Sequence, residues 1–529
     1  MGKLTKKFES TTKSVFFSTL FSLLARLLSF VQAIIVSNYF GATKSTDFLF
    51  FCISITILLP GLFSNINQAV IIPNSIRIRE NESADESKTF LLKIYSFYIL
   101  MGILVCSVVG AMPEDFMLFA SKFSPEDIYE NRLIIMLTIP TFFFILTTSF
   151  ILNVFESYKY FTFPMILDMM KSILTILIIV LLGNKYGVVS MAGGILAAHI
   201  IQFIILNYLL FRLLGFRFKR KKYRIHNDLK KNIVFVVVSQ VTNILSQYVG
   251  MYLISGLQEG VYTALSYSDR IYNILVLVLA GQVTTVLGVN IIERYTKREY
   301  KELNESYLKY IKVIMTIVMP LTFIMSFQAP AIISVLFERG SFTRESVIMT
   351  GIFFKYIILS VPLLVLDRLV VRLIIAKQIL HISFVWNVVG KVLSAATVFV
   401  IINYMDFRYY GLGVLLVQLL YVIAINLFMI RKQFPFIEVG KSIQYVGINS
   451  ILCIAVNLAA STMFTIEELQ GALHKFFALS AYSAVVMGSY LLIGFFTFNR
   501  ETITQIISYI GQLVPKFTSR RIGHANKSV

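Results

Sequence analysis

The sequence predicts an all-α polytopic membrane protein of about 14 transmembrane helices, laid out as two six-helix lobes plus two C-terminal helices. Three observations carry this. Of 529 residues, 57% are hydrophobic and only 14% charged, and the mean hydropathy is +0.77. A soluble domain is about a quarter charged, and so little charge cannot cover the surface of a soluble chain this long. Apolar runs of span length recur from one end to the other, and about 20 mostly apolar residues cross a bilayer. Lysines and arginines gather in alternate gaps between those runs.

Taken in order, the runs predict spans at 14–39, 48–72, 88–112, 131–153, 160–183 and 187–211, within a first lobe of residues 1–215. The first run carries Arg26 in its middle and continues to Tyr39 without a small-residue cleavage motif, so it reads as a span and not as a removed signal peptide. A basic stretch, 216–231, follows the sixth span. The second lobe, 232–432, has runs at 232–255, 262–291, 306–328, 347–371, 383–403 and 408–430, of which the eighth span overall is weakly apolar and the tenth bears charges. Residues 433–498 hold the last two, 441–463 and 474–498, and 499–529 form a basic tail that reads as an amphipathic surface anchor. Each half opens with a long helix and a short outer loop, Gly41 to Asp47 and Gly256 to Tyr262. Transporters built from such repeats bind substrate between them.

The loops set the orientation. Lys3, Lys6, Lys7 and Lys13 precede span 1, and Arg212, Arg217, Lys219, Arg220, Lys221, Lys222, Arg224, Lys230 and Lys231 follow span 6. Arg294, Lys297, Arg298 and Lys301 follow span 8, Arg431 and Lys432 follow span 12, and Lys516, Arg520, Arg521 and Lys527 lie in the tail. An even span count puts all of them on one side, the cytoplasmic side. Glu114, Asp115, Glu126, Asp127, Glu130, Glu467 and Glu468 fall in opposite loops. Both termini are therefore predicted cytoplasmic. The net charge of +20 is a matter of membrane orientation, and no nucleic-acid partner is expected.

Little in the chain suggests bond-breaking chemistry. The three cysteines, Cys52, Cys106 and Cys453, each sit inside an apolar run, and the five histidines form no zinc motif. Gly440-Lys441-Ser442 resembles the end of a phosphate-binding loop, but Pro435 stands where its upstream glycine belongs. A membrane-embedded glycosyltransferase or ligase would need a large outer loop with catalytic side chains, and the longest outer loops, near 113–130 and 329–346, are short.

The informative residues are charges inside spans, where an ion costs about 2.5–3.5 kcal/mol on insertion scales and so faces a cavity or a partner. Arg26 reads either as half of a structural ion pair or as a cavity-lining anion contact. Asp47, at the start of span 2, either caps a helix or pairs with a cavity arginine. Asp269 and Arg270 point in different directions; Arg270 is a second candidate anion contact, or part of a helix-end pair. Arg368 and Arg372 share one face of span 10 beside Asp367. Two guanidinium groups on one face suit a diphosphate, and snorkelling to the interface is the other reading, the favoured one for Arg372. Asp168 and Lys171, three apart, read as a local pair. Gln32, Asn65, Asn67 and Gln68 either line the same space or join helices.

Several strings resemble one family. Arg26-Leu27-Leu28-Ser29-Phe30-Val31, then Phe40-Gly41-Ala42 and Thr46-Asp47, look like the opening signature of the MurJ (MviN) lipid II flippases. Ser268-Asp269-Arg270 resembles their span-8 motif, and Leu336-Phe337-Glu338-Arg339-Gly340-Ser341-Phe342-Thr343 is similar to their outer-loop string. The region from Arg368 to Gln378 resembles their span-10 arginine and the loop after it. The resemblance implies a fold of the multidrug/oligosaccharidyl-lipid/polysaccharide exporter type, in which two lobes enclose a cationic cavity and spans 13–14 form a groove for a lipid tail. By it, Arg26 and Arg270 match cavity arginines and Asp47 a functional acid. Two departures stand out: a further span-1 arginine falls at Gln32, and an arginine pair of span 2 falls near Pro60-Gly61.

The expected function is outward flipping of undecaprenyl-diphosphate-linked peptidoglycan precursor (lipid II) by alternating access, without catalysis. The candidate substrate contacts are Arg26, Arg270, Asp47, Arg368 and Gln32. A flippase for another polyprenyl-linked saccharide, such as an exopolysaccharide or teichoic-acid unit, is the alternative; a multidrug exporter would be richer in acids within its spans. No cofactor or metal is expected, and a coupling ion or the membrane potential would drive transport. The expected partners are the lipid-linked saccharide and the bilayer. The expected form is a monomer in the bacterial cytoplasmic membrane.

Overall fold

The structure is a computed structural model and describes residues 11–160, 162–217, 227–277, 282–466 and 469–508. Lys3, Lys6, Lys7, the stretch 218–226, Glu467, Glu468 and the tail from 509, with His226 and His524, lie outside the described residues. Every regular element among the described residues is helical. Among the described residues, eleven helices are long and apolar enough to cross a membrane. The other three expected spans are present as helices too: Asn227–Ile254 for the seventh, Val261–Val276 with Gln282–Thr296 for the eighth, and Arg344–Ile357 with Ser360–Lys377 for the tenth. The protein is thus an all-α, multi-pass membrane protein.

The break in the tenth span has a local cause. Pro362 has no N–H to give the carbonyl of Ile358, so that carbonyl instead accepts from Val361 at 3.1 Å and the helix restarts at Ser360.

Packing divides the chain into two units. The first comprises residues up to Arg270 with Phe337–Met349 and Lys391–Phe407. Its edges fall within helices, whereas the sequence halves part at the basic stretch. Its helices are α1 (Thr11–Phe40), α2 (Lys44–Asn81), α3 (Ala84–Ala111), the short α4 (Pro113–Ala120) and α5 (Pro125–Glu130), α6 (Arg132–Ser157), α7 (Thr162–Tyr186), α8 (Val188–Arg212), α9 (Asn227–Ile254) and the start of α10 (Val261–Val276). At 38 residues, α2 is about 57 Å long, nearly twice the hydrocarbon thickness. It passes through a π-helical turn at Asn67–Ile71, just before Pro73 removes a backbone donor.

In lipid, helices are joined less by the hydrophobic effect than by close packing and interhelical hydrogen bonds. Tyr98 donates to Asn67 Oδ1 at 2.7 Å and Tyr95 to Asn207 Oδ1 at 2.6 Å. These bonds run through a core of Phe90, Leu91, Phe150, Val154, Phe155 and Leu206. Asn67 and Gln68 therefore act as glue: Gln68 Nε2 donates to Asn153 Oδ1 at 3.3 Å. α7 turns into α8 through Gly187 alone, at φ +53°, a region open to glycine.

The second unit holds α11 (Gln282–Thr296), α12 (Tyr300–Phe327), α13 (Ala329–Phe337, less its last residue), the end of α14 (Arg344–Ile357), α15 (Ser360–Lys377), the start of α16 (Leu380–Tyr404), α17 (Phe407–Gln433, from Arg408 on), α18 (Val439–Ser461) and α19 (Ala472–Thr497). α18 packs on α12 and α19. A ladder of tyrosines and asparagines joins them. Tyr482 donates to Asn457 Oδ1 at 2.9 Å, Tyr490 donates to Asn449 Oδ1, and Tyr445 donates to Asn499 Oδ1 at 2.8 Å. Asn499 in turn donates to Thr316 of α12 at 2.8 Å.

Candidate functional site

Three of the family-like strings meet within the first unit. The loop after α1 turns at Gly41, φ +62°, and Thr43 caps α2 in a reciprocal box with Thr46. That leaves Asp47 free of capping its own helix. Its carboxylate, 3% exposed, instead accepts from the backbone N–H of Gly260 at 2.7 Å and of Thr263 at 2.7 Å. Those groups are unpaired donors at the start of α10, where a helix favours an anion. Asp47 thus caps a helix distant in sequence, and its partners are backbone amides; the structure does not put it against an arginine.

The 336–343 string closes on the same place. Ser341 N–H donates to the carbonyl of Asn38 at 2.9 Å, and its hydroxyl donates to that of Tyr39 at 3.0 Å. A Cβ at Gly41 would overlap the Ser341 carbonyl oxygen, one at Gly340 the Asn38 carbonyl oxygen, and one at Gly260 would press on the Ala42 carbonyl oxygen. Phe337 and Phe342 pack around buried Tyr267, with ring centroids 5.0 and 5.5 Å away, and Phe30 lies 6.1 Å from Phe337. Tyr267 meets Phe50 edge-on at 5.6 Å, and the Arg270 guanidinium lies 5.0 Å over the same Phe50 ring. An arginine on an aromatic face keeps its charge available to an anion while its stem is packed.

Arg26 lies elsewhere in the unit. α1 and α7 run side by side in the same direction; Tyr39 lies against Gly183, where a Cβ would press on its ring. Nearer the other end of that pair, a pocket of about 460 Å³ opens between α1, α2, α7 and α8. Ser22, Arg26, Ser29 and Gln32 face it from α1. Asp168, Lys171, Ser172 and Thr175 face it from α7, and His199 from α8. These are helical stripes, spaced three and four apart. Lys171 Nζ pairs with Asp168 Oδ1 at 2.9 Å, as the spacing predicts. Arg26 has no ion-pair partner within 4 Å among the described residues, so the structure shows no ion pair for this side chain there.

The sequence reading places Arg26 and Gln32 together but takes Asp168 and Lys171 as a self-contained pair and His199 as scattered. No local signal could add them, since only the packing of α1 on α7 and α8 brings them to one space. In the second unit, Arg372 lies flat across Gly288 of α11, where a Cβ would collide with its stem. Arg368 is half-buried on the same face of α15.

A family model described as "Lipid II flippase MurJ" matches residues 36–482. The chain is 25% identical over 349 residues to a probable lipid II flippase MurJ of Buchnera aphidicola subsp. Acyrthosiphon pisum, covering 63% of this chain and 67% of that one. It is 24% identical over 342 residues to the probable lipid II flippase MurJ of Borreliella burgdorferi, covering 64% and 66%. These alignments span about two thirds of the relatives' length. Among solved structures, a lipid II flippase MurJ in an inward closed conformation superposes with a TM-score of 0.75 at 17% identity, over 92% of this chain and all of that one. A multidrug resistance MATE family transporter of the MOP superfamily, inward-facing, superposes at 0.61 with 14% identity, over 76% and 92%. Both likenesses are of fold.

Proposed function

Because the chain belongs to the lipid II flippase MurJ family, we propose that it carries undecaprenyl-diphosphate-linked peptidoglycan precursor from the inner to the outer leaflet of a bacterial cytoplasmic membrane. The observation that carries this reading is the Arg26 pocket: a polar space among apolar helices, whose one acid is occupied by its own lysine and whose arginine has no ion-pair partner among the described residues. Such a site attracts an anion, and a guanidinium suits phosphate oxygens. Gln32 is a neutral contact in the same pocket; Arg270, stacked on Phe50 outside that pocket, and Arg368 are further candidate anion contacts, each within its own unit. Asp47 is assigned to the loop clasp. Both its oxygens engage the amides of Gly260 and Thr263, and loosening those bonds frees the loops at that end for the transport cycle.

The protein works as a monomer with both termini in the cytoplasm, and it performs no bond chemistry on its cargo. The membrane potential, with or without a coupling ion, drives the step. Replacing Arg26 or Arg270 by Ala abolishes complementation of a strain depleted of its lipid II flippase while leaving expression intact. Full complementation by both variants overturns the site.

Gln32 supports a second reading. It lines the pocket where the family resemblance implies an arginine, so the headgroup beyond the diphosphate would be another polyprenyl-linked saccharide. Failure of the wild-type chain to complement, with flipping of such a saccharide in vesicles, selects that reading. A multidrug cation exporter has the same fold, but a pocket with an unpaired arginine repels cations.

A further inference from the structure

The Arg26 pocket contains a second cation at a position outside the family-like strings. Lys171 and Arg26 project from two neighbouring helices that run in the same direction, each within a stripe that lines the same space. Lys171 is tied to Asp168 one turn away, and the two side chains are 24% and 42% exposed. An ion pair between groups this accessible is weak. A diphosphate brings more negative charge than one carboxylate and several oxygens to a three-donor ammonium, so it competes well for Lys171. Across the pocket, His199 offers an imidazole whose Nδ1 has no hydrogen-bond partner among the described residues.

We infer that Lys171 is a binding residue for the lipid-borne diphosphate: Asp168 holds it when the pocket is empty and yields it when the diphosphate arrives. The inference rests on the flippase reading above and deepens it. With Gln32 in place of an arginine, the pocket regains its second positive charge from α7. Asp168 also limits affinity, because the carboxylate stays beside Lys171 and reclaims it when the cargo leaves. A carrier must release what it binds, and a reversible exchange of anions on one lysine meets that need without a second conformational element.

The test uses the full chain in nanodiscs with undecaprenyl diphosphate as probe and inorganic pyrophosphate in a parallel arm, binding being read by native mass spectrometry. Lys171→Gln weakens undecaprenyl diphosphate binding roughly tenfold to a hundredfold, the loss expected for one charge-assisted contact. Lys171→Arg stays within a few-fold of wild type. Asp168→Asn tightens binding, since Lys171 is no longer shared. A purely structural pair predicts the opposite for Asp168→Asn, namely weakening alongside Lys171→Gln. Unchanged binding in Lys171→Gln, or weakened binding in Asp168→Asn, overturns the inference, and the latter decides even if Lys171→Gln fails to accumulate. Pyrophosphate binding without undecaprenyl diphosphate binding overturns the lipid-borne source. If the wild type binds neither probe, the flippase reading falls with the inference. If Arg26→Ala loses binding while Lys171→Gln keeps it, only the inference falls.

Discussion

At Gly340 the backbone turns with φ +56°, and a Cβ there would overlap the Asn38 carbonyl oxygen, so both torsion and space exclude a side chain. Gly340→Ala is expected to cost about 1–3 kcal/mol and to lower the unfolding temperature in detergent. Gly440, in the first turn of α18 with nothing within 4 Å of a Cβ, serves as the control. Gly440→Ala there is expected to be neutral or slightly stabilising, by up to about 1 kcal/mol. Asp47→Asn keeps the shape of the acid but turns one acceptor into a donor facing a backbone N–H. The expected loss is about 1–3 kcal/mol, read as a lower melting temperature and lost complementation. Asp47 was visible in the sequence as an acid at a helix start. That its partners lie 213 and 216 residues away was not.

Among the elements, α18 and α19 depend on α12 through their tyrosine–asparagine ladder. Tyr445 is the busiest rung, since it meets both Thr316 and Asn499. Interhelical hydrogen bonds in membranes are worth about 0.6 kcal/mol on average and up to about 1.7. Tyr445→Phe is expected near the upper figure and Tyr482→Phe near the average, compared by unfolding in mixed micelles. Equal, negligible effects would mean that shape packing alone holds the pair. The spans themselves were legible as apolar runs. The ladder was not, because asparagine and tyrosine within a run do not say which neighbour they meet. The break before Ser360 follows from Pro362, although an apolar run continues across it.

For the whole molecule, the proposed cargo is an anion moving outward, so an inside-negative potential favours its transfer by about 2.3 kcal/mol per charge per 100 mV. Collapsing the potential in proteoliposomes is expected to slow outward flipping, by at most roughly fiftyfold per net charge moved. A rate indifferent to potential would show that the moving complex is neutral, with the pocket's cations travelling alongside the diphosphate. The mean hydropathy of +0.77 and the net charge of +20 fit this setting. Hydrophobic residues make up 57% of the chain, and most of its basic residues fall in the gaps between the apolar runs.

By itself the sequence determined the fold class, the span count and the family-like strings. A bilayer imposes these requirements along the chain, as runs of sufficient length whose backbone hydrogen bonds close within each helix. It also singled out Arg26 and Arg270 as charges inside spans that need a cavity or a partner, and Gln32 as a polar candidate beside them. Only the tertiary structure decided which charges share a space. The Arg26 pocket draws Lys171, Asp168 and His199 from helices that begin more than 100 residues later, and Asp47 turns out to serve backbone amides and not an arginine. Local periodicity tells which face of a helix is polar. The register and partner of that face come from packing between helices remote in sequence.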